Sequence, residues 1–158
     1  MRALIQRVVR ASVTMPKSGE RKTIGVGIVI FIGITHTDTP VDVELLSAKI
    51  ISLRIFKDED QKMNLSLQDI EDASVLIVSQ FTLYGNVRKG RRPSFVEAAR
   101  PEIAIPLYEA FVASFNDAGI AVQTGEFGAN MLVEILNDGP VTFHLDTEQL
   151  RVDKTVAT

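Results

Sequence analysis

With 158 residues, 46% of them apolar and 23% charged, the chain has the size and mixture of one domain folding around its own core, which excludes a disordered polymer. It has no cysteine, so disulfides, thiolate metal sites and a cysteine nucleophile are excluded, and a formal charge of -3 argues against nucleic-acid binding through overall basicity. The most apolar run, Val26 to Ile34, is about half a bilayer span, and the first residues lack the apolar core of a signal peptide, so a soluble, cytoplasmic protein without a membrane partner is expected.

Residues 2–14 read as a strand rich in β-branched side chains, and Pro16, Ser18 and Gly19 mark a turn. Residues 24–36 read as a second apolar strand. Glycine weakens a strand, so Gly25, Gly27 and Gly33 predict bends or close backbone approach there. The two strands suggest an antiparallel hairpin. Thr39-Pro40 opens a helix whose apolar stripe runs through Val43, Leu46, Ile50 and Leu53. Residues 57–72 are polar and loop-like, threaded by Met63, Leu65 and Leu67.

Val75 to Val78 is a short continuous apolar run, the pattern of a strand buried on both faces, and it leads into Ser79-Gln80-Phe81-Thr82-Leu83-Tyr84. A second helix starts at Pro101, with Ile103, Leu107, Phe111 and Phe115 toward the core and Gly119 as its stop. Strands follow near 120–124 and 130–137. Asn137-Asp138-Gly139-Pro140 reads as a turn, and 141–145 as the last strand. There is no repeat or linker. The expectation is one α+β (α/β) domain over residues 1–147, with a bent, barrel-like sheet and two main helices, then a polar, mobile tail over 148–158.

Conventional chemistry is sparse. His36 and His144 each stand alone, without metal-ligand spacing, and a lone strand histidine is more often structural. Nothing in the spacing supports a triad with Ser79 or Thr82. There is no nucleophile elbow, phosphate loop or dinucleotide fingerprint, and the acidic pairs lie in polar segments. No metal and no cofactor are implied. If the chain is an enzyme, backbone donors are its most available tools.

Two segments can present main-chain groups, donors in the first and acceptor carbonyls in the second. Ser79 to Tyr84 leaves a buried strand, where sites of open sheets lie; plain strand alternation is the competing reading. Asn137 to Pro140 is either an ordinary trans turn or, with a cis Gly139-Pro140 bond, a pair of carbonyls facing one way. Arg88, Lys89, Arg91 and Arg92 put four cations within five residues, as a solvated hairpin tip or as a phosphate-binding patch.

Taken together, Ser79-Gln80-Phe81-Thr82-Leu83 and Asn137-Asp138-Gly139-Pro140-Val141-Thr142 resemble the two signatures of the D-aminoacyl-tRNA deacylases. Gln6-Arg7-Val8, Lys62 to Ser66, Lys89 to Phe95 and Gly128-Ala129 with Met131 match in the same order across residues 2–147. The resemblance implies a homodimer with its site at the subunit interface, D-aminoacyl-tRNA as substrate and no cofactor. Ser79, Gln80, Phe81 and Thr82 would line the ester, with Thr82 the residue usually assigned as catalytic. Gly139 and Pro140, joined by a cis bond and buttressed by Arg7, would hold the substrate's amino group in the partner's site and block an L side chain. Met131 would join the substrate contacts, and Arg88, Lys89, Arg91 and Arg92 would meet tRNA phosphates.

Glycine, lacking a side chain, would pass such a filter, so glycine mischarged on tRNA(Ala) is an expected second substrate. A tRNA-binding module without turnover and a structural or assembly protein are the competing readings. Three departures stand out: Gln61 where relatives often carry glycine, the hairpin connection 15–23, and the tail beyond Thr147.

Overall fold

A single strand organises the sheet. In the computed structural model, which describes residues 1–152, β1 (Arg2–Met15) pairs with three others. Along one edge its first half is antiparallel to β3 (Gly27–Gly33), from Arg2↔Gly33 to Val8↔Gly27. Its second half pairs there with β2 (Glu20–Ile24), from Ala11↔Ile24 to Met15↔Glu20. Its other edge carries β8 (Leu132–Asp146) over nearly the whole length.

The expected strand 24–36 is therefore two. It breaks at Gly25-Val26, and the segment before it, read as part of an irregular connection, is β2. The β1–β2 turn is four residues long and closes with the Gly19 N–H on Met15 O at 2.9 Å; Gly19, at φ 74°, takes the left-handed conformation glycine favours.

Beyond β3 the sheet becomes parallel. β3 leads through α1 (Pro40–Ser52) to β6 (Ser74–Ser79), and β6 through α2 (Pro101–Asp117) to β7 (Ala121–Thr124), so each helix is a crossover between parallel neighbours. β4 (Phe56–Lys57) and β5 (Met63–Leu65) form a separate small hairpin inside the stretch read as loop.

Side-chain alternation divides the core in two. Ile28, Ile30, Ile32, Val75 and Ile77 face α1 and α2, meeting Val43, Leu46, Ile50, Phe111 and Phe115. Val29, Leu76 and Val78 face the opposite way, into the curl of the sheet with Val8, Val13, Met15 and Ile24. The sheet is thus barrel-like and nearly closed, and β6 is buried on both faces because both faces have cores to serve. Phe111 and Phe115 are fully buried and meet edge to face at 5.1 Å; truncating either to alanine is expected to cost about 3–5 kcal/mol.

The α2 stripe needs one correction. Leu107, Phe111 and Phe115 are buried, but Ile103 is 39% exposed, and Ala104 and Tyr108 take the remaining inward positions. Near the helix start the inward direction has rotated by one residue, as a 3.6-residue period requires of a strict four-residue spacing.

The segment expected as a tail opens as a helix, α3 (Thr147–Val152). Arg151 on it reaches the buried Asp42 of α1 at 2.6 Å, and Asp42 also accepts the Thr39 N–H at 2.9 Å at the start of α1. The rest of the predicted mobile tail, 153–158, lies outside the described residues.

Candidate active site

β6 ends at Ser79. The chain then tightens into a 3₁₀ turn, Phe81–Tyr84, so the competing reading, strand alternation through Tyr84, ends at Ser79. The turn begins with the Gln80 N–H on Ile32 O at 2.8 Å, and its first internal bond runs from the Leu83 N–H to Gln80 O at 3.2 Å. The N–H groups of Phe81 and Thr82 come before that bond and have no acceptor within the turn. The Thr82 hydroxyl accepts from the Gln80 side-chain amide and is exposed. Gly33 permits this packing: a Cβ there would lie 3.0 Å from Leu83 Cβ and 3.1 Å from Gln80 O. At the other end of β6, a Cβ on Gly27 would lie 1.7 Å from Ser74 O.

Beside the turn is a cavity of about 540 Å³. Ser79, Gln80 and Phe81 form one wall, with Ile32 and Val78 contributing apolar surface. Phe95, Ala98, Ala99 and Arg100, between the basic segment and α2, form another. Phe127 to Met131, in the β7–β8 connection, close the third side with Val133. Phe95 meets Phe81 edge to face at 5.0 Å, so aromatic surface marks the rim. Ser79, Gln80, Phe81 and Met131 line this one cavity, and Thr82 adjoins them without lining it. Arg100, Phe127 and Asn130 were missed by sequence reasoning. They stand alone in ordinary segments, and the Gly128-Ala129 match, two residues before Met131, was the one signal near them.

The Asn137–Pro140 segment is not a turn between two strands. It is a bulge within β8: Val8 pairs with Asn137 and Gln6 with Thr142, leaving 138–141 opposite Arg7. The Gly139-Pro140 peptide is cis. The Asn137 side-chain amide donates to Arg7 O at 2.8 Å and Val141 O at 3.2 Å, fastening the base of the bulge. Arg7 is buried, donates from Nη1 to Ile55 O at 2.5 Å, and has Nε 2.8 Å from Asp138 Oδ2. That last contact is an ion pair whose N–H is not aligned for a hydrogen bond. None of 137–141 lines the cavity of the same chain.

Arg88, Lys89, Arg91 and Arg92 sit on an exposed loop closed by the Asn86–Ser94 bridge, immediately before Phe95. His36 contacts Val96 O through Nε2 at 3.0 Å, and neither His36 nor His144 lines the cavity. Among the described residues, no group of three or more His, Asp or Glu side chains is arranged to hold a metal, and no helix is long and apolar enough to cross a membrane.

Comparison with known proteins identifies this architecture. The family profile for D-Tyr-tRNA(Tyr) deacylase matches residues 4–146. A D-aminoacyl-tRNA deacylase of Chloroflexus aurantiacus is 56% identical over 98% of this chain and 95% of its own. One of Clostridioides difficile is 52% identical over 94% and 99%. The solved structure of a c-Myc DNA Unwinding Element Binding Protein superposes with a TM-score of 0.83 at 41% identity, covering 92% of this chain and 98% of that one. The chain belongs to the D-Tyr-tRNA(Tyr) deacylase family, a family of ester-cleaving hydrolases.

Proposed function

We propose that the chain hydrolyses the ester of D-aminoacyl-tRNA, releasing the D-amino acid and leaving L-aminoacyl-tRNA intact. One observation carries the reading: Phe81 and Thr82 have N–H groups without acceptors in their turn, and Phe81 lines a largely apolar cavity with Ser79 and Gln80, Thr82 being the next residue along. An aminoacyl ester is already activated. A pair of fixed donors stabilises the oxyanion that forms when water attacks its carbonyl, and one such donor contributes about 3 kcal/mol. The terminal ribose 2′-hydroxyl is near enough to the reacting ester to assist. No histidine is required, which accords with both histidines lying off the cavity walls.

Chirality is assigned to the Gly139-Pro140 main chain of a second copy. Two observations support this. The bulge lies off its own chain's cavity, and β8, bonded only to β1 among the described strands, leaves Leu132, Leu136 and Phe143 exposed along the strand that carries it. A homodimer covers that face and brings each bulge to its partner's cavity. Rigid main chain excludes a wrong side chain more strongly than a soft pocket, where a methylene is worth only about 1–3 kcal/mol. Glycine mischarged on tRNA(Ala) passes the filter. The Arg88–Arg92 loop, adjoining Phe95 at the cavity, meets the phosphates of the acceptor end.

Incubation with D-tyrosyl-tRNA and L-tyrosyl-tRNA tests the proposal. Free D-tyrosine with the L-ester preserved is expected. Binding without release would leave a tRNA-binding module, and no binding at low salt would leave a structural or assembly protein.

A further inference from the structure

The 3₁₀ turn Phe81–Tyr84 is anchored by Tyr84, while Phe81 and Thr82 are exposed. Its exit is held by a residue far away in sequence. Arg2, at the start of β1, donates from Nη1 to Leu83 O at 3.1 Å and from Nε to Asp146 Oδ2 at 2.9 Å, and its Cζ lies 4.4 Å from the centre of the Tyr84 ring. Asp146 is the last residue of β8, in register with Arg2, and is buried. A planar guanidinium bonded in two directions and stacked on a ring has little freedom to swing. Gly33, Arg2's other in-register partner, forms the floor on which the turn rests.

We propose that Arg2, oriented by Asp146, is a positioning residue for ester cleavage: it fixes the 3₁₀ turn and so the direction of the Phe81 and Thr82 N–H groups. The inference rests on the functional reading above. Leu83 is one residue beyond Thr82, so a shift at its carbonyl passes directly to the proposed donors. A displacement of about 1 Å at a reacting centre costs on the order of 100-fold in rate. Arg2 also joins the end of β8, the strand bearing Gly139-Pro140, to the turn bearing Thr82, so the two signature segments of one chain share this brace.

The test uses Arg2→Met, which keeps a stem on Tyr84 but removes both hydrogen bonds, Arg2→Lys, which can satisfy one acceptor at a time, and Asp146→Asn, which frees the guanidinium. For Arg2→Met, kcat on D-tyrosyl-tRNA should fall about 10- to 100-fold with KM within about twofold. Exchange at the Leu83 and Gly85 amides, whose bonds to Gln80 O and Thr82 O define the turn, should quicken. Arg2→Lys should recover part of the rate, and Asp146→Asn should fall between. Phe115→Leu, a core change remote from the turn, calibrates plain destabilisation.

An unchanged kcat in Arg2→Met, or a loss no greater than in Phe115→Leu at equal melting temperature, overturns the proposal. If the unaltered protein cleaves no D-ester, the functional reading fails by itself. Amide exchange then decides: faster exchange in Arg2→Met retains Arg2 as the residue that positions the turn, and unchanged exchange removes it.

Discussion

Arg7 and Asp138 face each other across the larger of the two places where β1 and β8 lose register, with Nε 2.8 Å from Oδ2. The arginine is buried and the carboxylate half-exposed, so the pair ties an inner strand to the base of an outward bulge. Arg7→Met should remove this tie and the bond to Ile55 O together. A loss of about 2 kcal/mol is expected, with a melting temperature lower by roughly 4–8 °C. A D-ester KM that rises while the L-ester stays intact would follow from a loosened bulge. Thermal melts and paired D/L kinetics check both, and a normal KM would separate Arg7 from the filter.

Gly139→Ala separates folding from recognition. A Cβ there would meet only Asn137 Oδ1, at an ordinary 3.6 Å. The chain itself has room for the methyl, so stability should change by less than about 0.5 kcal/mol. D-ester turnover or D/L selectivity should nevertheless drop, because the methyl would crowd whatever the bulge meets outside its own chain. Unchanged selectivity and affinity would remove Gly139 from the filter.

Thr82→Ala asks whether a hydroxyl or the backbone cleaves. Thr82 is exposed and, among the described residues, its hydroxyl bonds only to the Gln80 side chain, so folding should be unaffected. Catalysis by backbone donors predicts kcat within about tenfold of normal. A loss of about 1000-fold or more, read by single turnover, would give the hydroxyl a chemical role.

Two buried carboxylates should set the acid limit of stability. Burial raises the Asp146 carboxyl, but the Arg2 hydrogen bond, the Glu148 N–H and the Arg2 charge outweigh it and hold it below its ordinary value of 3.8. Burial likewise opposes Asp42, outweighed by bonds from the Thr39 backbone and the Thr147 and Thr39 side chains. A folded value below the unfolded one means the stabilisation is complete above about pH 4 and is lost as pH falls through the folded values. Melting temperature should be flat from pH 7 to about 5 and decline below 4, more shallowly in Asp146→Asn.

Gln61, the departure from the glycine often found before Lys-Met-Asn, has φ 63° in the turn of the β4–β5 hairpin. A side chain there costs about 1 kcal/mol, partly offset because glycine is more flexible when unfolded. Gln61→Gly should therefore raise stability by about 0.5 kcal/mol, with activity unchanged. A fall in melting temperature would mean the Gln61 side chain has a use of its own.

The elements read correctly from sequence are those whose local pattern and tertiary role agree. Val75–Val78 is apolar on both faces because both faces are buried, and Pro40 sits where a helix accepts it. The failures lie where distant pairing overrides local chemistry. Asn-Asp-Gly-Pro has every mark of a turn, but Asn137 and Thr142 both pair with β1, so the segment bulges from a continuous strand. β2 is too polar to announce itself and exists because Ala11 to Met15 offer it an edge. The residues of the first signature were legible as a group, and Ser79, Gln80 and Phe81 do share a cavity. Its far wall was not: Arg100 and Phe127 converge through the β6–α2–β7 crossover, which no local window contains.

The three-partner role of β1 has a consequence for how the protein is made. β2 and β3 leave the ribosome soon after β1 and can cover one of its edges at once. Its other edge waits for β8, whose pairing residues lie more than 100 positions further along. At about 5–20 residues per second, that edge of a long, largely apolar strand stays bare for roughly 6 to 30 seconds during synthesis. The sheet is completed only when β8 arrives to pair with β1, and the interval before it does is when the nascent chain is most open to pairing with the wrong neighbour.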